Sequence, residues 1–330
     1  MLRLMQVRGR DGRRVVATDG AESWYVGRYR TVYELAQAAI SRHLTLESVV
    51  AKAGRVGRAD PKKLLGAGRV LAPVDHPDPA HLLVSGTGLT HLGSAASRDA
   101  MHKKLTRSGA ASLSDSMRMF HMGVEGGKPK RGQAGVQPEW FYKGDGSIVV
   151  APGKPLVSPA FALDAGEEPE VAGVYVVGER GVPYRLGHVL MNEFSDHVTE
   201  RHNYLWLAHS KLRPCSFGPE LLVGELPADI RGTSRIRRGR RVIFEQPFLT
   251  GEANMSHALD NLERHHFKYS YFRRPGDVHV HTFGTATLSF AAEIKSRAGD
   301  VFEIEAEPFG LPLVNPLALA RAERFAVRAL

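Results

Sequence analysis

EEPEVAGVYVVG, Glu167 to Gly178, carries two signals in one stretch. Val171 to Gly178 is a continuous apolar run, the pattern of a strand buried on both faces. Glu168 and Glu170 stand immediately ahead of it. In extended chain, residues two apart point to the same side. Two carboxylates on one side repel unless a cation sits between them, so the pair is a candidate metal site. The plainer reading is a pair of solvated loop carboxylates before a strand, and the pair alone does not choose.

Outward from this stretch, the chain is strand-rich from about residue 147. RVIFEQPFL (Arg241 to Leu249) and VHVHTFGTATLSF (Val278 to Phe290) are rich in β-branched and aromatic residues. VFEIEAE (Val301 to Glu307) alternates, with Phe302, Ile304 and Ala306 facing one way and Glu303, Glu305 and Glu307 the other. NMSHALDNLERHHF places Met255, Leu259 and Leu262 on one helical stripe. Upstream, Thr31 and Glu34 form a capping-box signature, so a helix starts at Val32. Thr45 and Gly54 bracket a second helix over Leu46 to Ala53. Ser97 caps a helix through Ala100 and Lys104, and Leu113, Met117 and Phe120 share helical spacing with Gly123 as a stop. The turn-rich APVDHPDP (Ala72 to Pro79) reads as a boundary. The expectation is an α+β fold built around a β-roll or sandwich, with a small mixed N-terminal domain over 1–75 and a larger one over 76–330.

Composition narrows the functional classes. The 330 residues are 43% hydrophobic and 24% charged, ordinary for a globular protein with a sizeable core. No run approaches the ~20 apolar residues of a membrane helix, and no apolar segment follows the basic N-terminus as a secretory signal requires. The single cysteine, Cys215, forms no internal disulfide, which fits a reducing cytoplasm. The net charge of +9 and the run RGTSRIRRGRR (Arg231 to Arg241) raise a non-enzymatic reading, a basic nucleic-acid-associated protein. No aromatic residue interleaves the run, and a single-strand binder needs stacking platforms, so a solvated hairpin or loop is preferred.

The second chemical stretch is LGHVLMNEFSDHVTERHNYLWL, Leu186 to Leu207. With a helix beginning near Glu193, Glu193, His197 and Glu200 fall at i, i+4 and i+7 on one face. Such a stripe serves surface salt bridges as readily as catalysis. A zinc reading would use His279 and His281, two apart on a strand, with His265 or His266; no third ligand has convincing spacing, and half-exposed strand histidines are the plainer reading. No P-loop, dinucleotide fingerprint or nucleophile elbow is present in the sequence.

Taken together, these segments resemble the fumarylacetoacetate hydrolase superfamily. The resemblance rests on Glu168-Pro169-Glu170 before the strand, then Gly187…Asn192-Glu193-Phe194-Ser195, where the family has Asn-Asp-x-Ser. It continues through Ser210-Lys211 ahead of Gly218-Pro219, and Pro275-Gly276-Asp277-Val278 ahead of Gly284-Thr285. Gly299-Asp300-Val301 and Gly310…Asn315 close it, while Ala72-Pro73-Val74 and GLTH, ending at His91, open it. The match spans about residues 70 to 316.

The resemblance implies that Glu168, Glu170 and Glu193 bind a divalent cation, Glu193 being a departure from the family's usual Asp. All-oxygen ligation suits Mg²⁺ or Mn²⁺ rather than Zn²⁺. A small anionic 2-keto acid would chelate that ion, easing loss of a C3 proton and stabilising the enolate. Dehydration, C–C hydrolysis of acylpyruvates or diketo acids, and oxaloacetate decarboxylation all run from that enolate. His91 is followed by Leu92, Gly93 and Ser94, so the hydrolases' water-activating His–Glu pair is missing. Gly86 to His102 and Gly135 to Gly144 resemble the sugar-acid branch, which includes 2-keto-3-deoxy-pentonate dehydratases. Dehydration of such a sugar acid is therefore the expected reaction. His91, Glu200 and His197 are the proton-transfer candidates; Lys143 and Lys211 are candidates to hold the substrate carboxylate or the enolate. Gly284 and Thr285 are candidates to bind substrate, and Arg98 and His102 to line the entrance or serve structure. The family also implies a homodimer.

Overall fold

The computed structural model describes residues 1–93, 114–130 and 132–330. The expected Ser97 cap, Leu113, Arg98 and His102 lie outside the described residues. Among those described, the strands form two sheets. The larger has twelve strands, with Pro169–Val177 near its middle, antiparallel both to Pro183–Asn192 and to Val278–Thr282. All nine residues of Pro169–Val177 are buried, as the unbroken apolar run requires. The smaller sheet runs Arg241–Thr250, Ile230–Arg238, Val301–Ala306, Leu313–Leu319 and Leu156–Ser158. Val171, Leu190 and Leu222 of the large sheet pack with Ile230, Phe248, Ile304 and Leu313 of the small one in one buried cluster. Two sheets closed over a shared core bear out the α+β roll or sandwich.

The two N-terminal helix readings are met in detail. Thr31 caps Val32–Arg42 with both halves of the box formed, and Thr45 caps Leu46–Ala53. The strands of this region hydrogen-bond into the large sheet through Arg3↔Leu222 and Leu4↔Leu221. Val301–Ala306 alternates as expected, with Phe302, Ile304 and Ala306 buried. The arginine run is a β-hairpin. Arg235 and Arg237 reach Glu303 at 2.6 and 2.9 Å, and Arg238 reaches Asp300 at 2.8 Å. The acidic face of the neighbouring strand thus absorbs much of its charge.

Four local expectations change. Val278–Thr282 stops well short of Phe290, because Gly284 turns the chain at φ 91°. Met255 precedes the helix, which starts at Leu259, and instead bridges to His91 in extended conformation. Gly123 lies inside Asp115–Gly126 rather than ending it; a Cβ there would sit 2.6 Å from His257 Nε2, so close packing accounts for the glycine. His279 and His281 are wholly buried, not half-exposed. His279 Nδ1 pairs with His266 Nε2 at 2.9 Å and His281 Nδ1 with Ser85 Oγ at 2.9 Å, while His265 turns to the Gly135 carbonyl. No three-ligand histidine group forms among the described residues. Nor is any described helix long and apolar enough to cross a membrane.

His188, on Pro183–Asn192, is buried with no side chain hydrogen-bonded to its ring. Burial first, then the Arg185 charge, push its pKa down to about 3. The unfolded chain takes up that proton near 6.5, so between these values it binds more protons than the folded chain, and stability falls as pH falls. His188→Leu removes this dependence. Relative to wild type, it is expected to gain about 2 kcal/mol between pH 8 and about pH 5, read by denaturant unfolding at both. Parallel losses in the two proteins would refute it.

Candidate metal centre

Strand register builds the site. Met191 pairs with Glu170 and Asn192 with Pro169, so the end of one strand lies beside the start of the other. The chain then turns at Phe194, φ 52°, and Glu193 N donates to Glu168 O at 3.1 Å. The carboxylates of Glu168, Glu170 and Glu193 converge, one oxygen of each within 4.8 Å of the others, all buried. Glu193 does not belong to a helix, as the spacing suggested; the helix is His197–His202, capped by Asp196. Sheet pairing, not helical period, brings Glu193 to the pair.

Two lysines and a histidine grip the triad. Lys211 Nζ donates to Glu168 Oε1 at 2.6 Å, Glu193 Oε2 at 2.7 Å and Ser195 Oγ at 3.1 Å. Lys143 Nζ donates to Glu193 Oε1, and to the carbonyls of Phe194 at 3.0 Å and Lys211 at 2.8 Å. His197 bridges Glu168 Oε1 at 3.0 Å and Asp164 Oδ2 at 3.2 Å. Glu170 Oε2 accepts the Gly284 N–H at 2.8 Å. Burial, then the charges of Glu168 and Glu193, push the Glu170 carboxyl well above its usual range. Burial opposes charge on Glu168 as well, but Lys211 and then His197 outweigh it and hold that carboxyl well below its usual range. For His197, burial likewise opposes the charge, and the bonds to Asp164 and Glu168 overcome it, lifting the ring to about 10. Even with these cations present, Glu170 resists ionisation, so the cluster favours further positive charge. Three hard oxygen donors in that state fit a divalent cation such as Mg²⁺.

A cleft beside Glu168 and Glu170 is lined by Glu139, Phe141, Glu200, Lys211 and Thr285, with Thr87, Gly88 and Leu89 at its side. Of the residues singled out in the sequence, Glu168, Glu170, Glu200, His197, Lys211, Gly284 and Thr285 line it, while Glu193 meets the other two carboxylates from behind the lining. Lys143 does not. It is fully buried with its donors directed to Glu193 and two carbonyls, and so is placed to support the triad rather than to hold a substrate carboxylate. His91 also stands off the described lining. Its nitrogens meet Thr90 Oγ1 at 3.1 Å and Thr250 Oγ1 at 2.9 Å, and burial drives its pKa down to about 3. His197 has both nitrogens engaged by carboxylates, which suits holding better than shuttling.

Three acids went unnoticed in the sequence. Glu139 enters the cleft and accepts the Tyr204 hydroxyl; Gly88 is the residue that makes room for it, since a Cβ there would collide with its carboxylate. Asp164 holds His197. Glu167, which burial pushes up to about 7, accepts the Ser289 N–H at 3.0 Å and ties down the loop after Gly284. Only Gly88, the first residue of GLTH, marks a crowded approach.

No family model matches the chain, and no curated protein does. The fold is that of the fumarylacetoacetate hydrolase superfamily. A solved structure of 2-keto-3-deoxy-D-arabinonate dehydratase in its apo form is 20% identical with a TM-score of 0.71, over 98% of this chain and 100% of that one. The same-named enzyme complexed with magnesium and 2,5-dioxopentanoate gives 19% and 0.70 over the same shares. Fumarylacetoacetate hydrolase from psychrophilic Exiguobacterium antarcticum is 14% identical at 0.60, over 97% of this chain and 100% of that one.

Proposed function

We propose that this chain is a Mg²⁺-dependent enzyme of small 2-keto acids, and specifically a dehydratase of a 2-keto-3-deoxy sugar acid. The observation that carries the reading is the buried triad Glu168, Glu170 and Glu193, of which Glu168 and Glu170 line a cleft that also presents Glu139, Glu200 and Lys211. The triad would hold the ion. When bound, Mg²⁺ supplies Lewis-acid polarisation of a 2-keto acid's oxygens. Lys211 adds a fixed positive charge beside that position, where negative charge develops as a C3 proton leaves. Glu139 and Glu200 supply the two proton-transfer positions, one accepting from C3 and one donating to the departing C4 hydroxyl. Removal of that proton and hydroxyl as water, followed by tautomerisation, converts a 2-keto-3-deoxy-pentonate to 2,5-dioxopentanoate. The Gly284–Thr285 turn brings backbone close to the triad and offers the Thr285 hydroxyl to a substrate carboxylate.

The dehydratase with magnesium and 2,5-dioxopentanoate supports this reading; the hydrolase on the same fold supports C–C cleavage of acylpyruvates as the second one. The test is incubation with 2-keto-3-deoxy-pentonates, acylpyruvates and oxaloacetate, each with Mg²⁺ and with EDTA. EDTA-sensitive formation of 2,5-dioxopentanoate is expected. Turnover of acylpyruvate alone would replace dehydration by hydrolysis, and turnover indifferent to EDTA would remove the metal.

A further inference from the structure

We infer that Asp164 is a positioning residue for the metal centre, acting through the His197 ring to set which oxygen of Glu168 faces the cation. The inference rests on the metal reading above and adds a residue that stands outside the ligand set.

The His197 ring is fixed on every side that matters. Its Nδ1 lies 3.2 Å from Asp164 Oδ2 and its Nε2 3.0 Å from Glu168 Oε1. Phe290 stacks on its face with ring centroids 5.2 Å apart and planes 21° from parallel. Gly166 fills the space against the ring with hydrogen alone; a Cβ there would collide with Nδ1. The loop that carries Asp164 is anchored in turn. Gly166 and Ser195 exchange backbone hydrogen bonds at 3.0 Å, and Leu163 N, next to Asp164, donates to the helix cap Asp196 at 2.9 Å. Asp164 is therefore held by the loop, and His197 by the first turn of its helix.

The consequence falls on Glu168. Its Oε1 receives both His197 Nε2 and Lys211 Nζ, the latter at 2.6 Å. With Oε1 committed to two donors, Oε2 is the oxygen left to turn toward Glu170 and Glu193. Without Asp164, the ring keeps one anchor and can tilt about it. Glu168 then samples orientations in which Oε1 competes for the ion. Groups that orient a ligand in this way are typically worth 10- to 100-fold in metal affinity.

The experiment is calorimetric titration of metal-stripped protein with Mg²⁺ and with Mn²⁺, paired with thermal melts in the absence of metal. Asp164→Ala is expected to raise the Kd about 10- to 100-fold while the metal-free melt stays near wild type. Asp164→Asn, whose amide oxygen still accepts from Nδ1, is expected to lose less. Gly166→Ala, which crowds the same Nδ1 edge of the ring, is expected to weaken binding as Asp164→Ala does. A purely structural role would lower the melt and leave the Kd alone, and that outcome overturns the inference. If Asp164→Ala fails to fold, wild-type affinity in both Asp164→Asn and Gly166→Ala overturns it. A wild-type protein that binds neither ion overturns the metal centre itself, a result separable from failure of the variants.

Discussion

Glu170→Gln is expected to remove most of the stabilisation that Mg²⁺ gives this protein while leaving the metal-free fold intact. Glu170 is 1% exposed, and its Oε2 already accepts a backbone N–H from Gly284. Glutamine has the same shape, and its amide oxygen keeps that bond. The change therefore removes charge, not volume. In the absence of metal, that charge is the one the cluster tolerates least, since burial and the neighbouring Glu168 and Glu193 all work against it. The metal-free variant should accordingly melt at or above wild type. Cation binding should suffer in proportion. Replacing a group that merely orients a ligand costs 10- to 100-fold in affinity, so neutralising a ligand should cost at least about 100-fold. At a Mg²⁺ concentration 100 times the wild-type Kd, the ion stabilises wild type by about 2.7 kcal/mol; a 100-fold weaker variant gains only about 0.4 kcal/mol. Melts with and without Mg²⁺ read the difference directly. A Glu170→Gln protein with the full wild-type shift would remove Glu170 from the metal centre.

How much of this site could be read along the chain depends on how each residue arrives there. Glu168 and Glu170 share a face because strand geometry has a period of two, a local property visible in EEPEVAGVYVVG. Glu193 arrives by the antiparallel register Met191↔Glu170, a tertiary fact. The helical spacing offered for it was a coincidence of position, because Asp196 is a good cap and starts the helix after the turn at Phe194. His197 and Glu200 do share that short helix, so their half of the stripe was sound. Asp164 and Glu139 have no local mark of function: each is one acid in a mixed loop or strand, and only its long-range partners, His197 and Tyr204, distinguish it. Lys143 shows the opposite case. A lysine in an aromatic strand reads as a hand for substrate, but the crossing of Glu139–Asp145 beneath the triad buries its ammonium under Glu193. The fold was easier to read than the site because burial patterns and caps are written locally, whereas the meeting of charges is written in the pairing of distant strands.

Lys211→Met provides the strongest test of that meeting. The Lys211 ammonium stands between Glu168 Oε1 and Glu193 Oε2 at 2.6 and 2.7 Å, and the side chain is 5% exposed. Methionine has nearly the same length and packs against the same neighbours, so the loss is one of charge and hydrogen bonds. Breaking a buried ion pair by removing one partner leaves the other charge uncompensated and typically costs 3–5 kcal/mol, roughly the penalty expected here without metal. Lys143 cannot make good the loss, because its donors already serve Glu193 and two carbonyls. A divalent cation can, since it brings positive charge to the same carboxylates. The variant is therefore expected to unfold at markedly lower denaturant than wild type in EDTA, and to recover a larger share of its stability on adding Mg²⁺ than wild type gains. Activity should not return with stability, because the ammonium also faces the cleft. If Lys211→Met proves as stable as wild type in EDTA, the three acids are not held together by this lysine, and the charge balance drawn from the geometry is mistaken. If instead it is destabilised but indifferent to Mg²⁺, the lysine is a structural counter-ion and the carboxylates do not form a cation site.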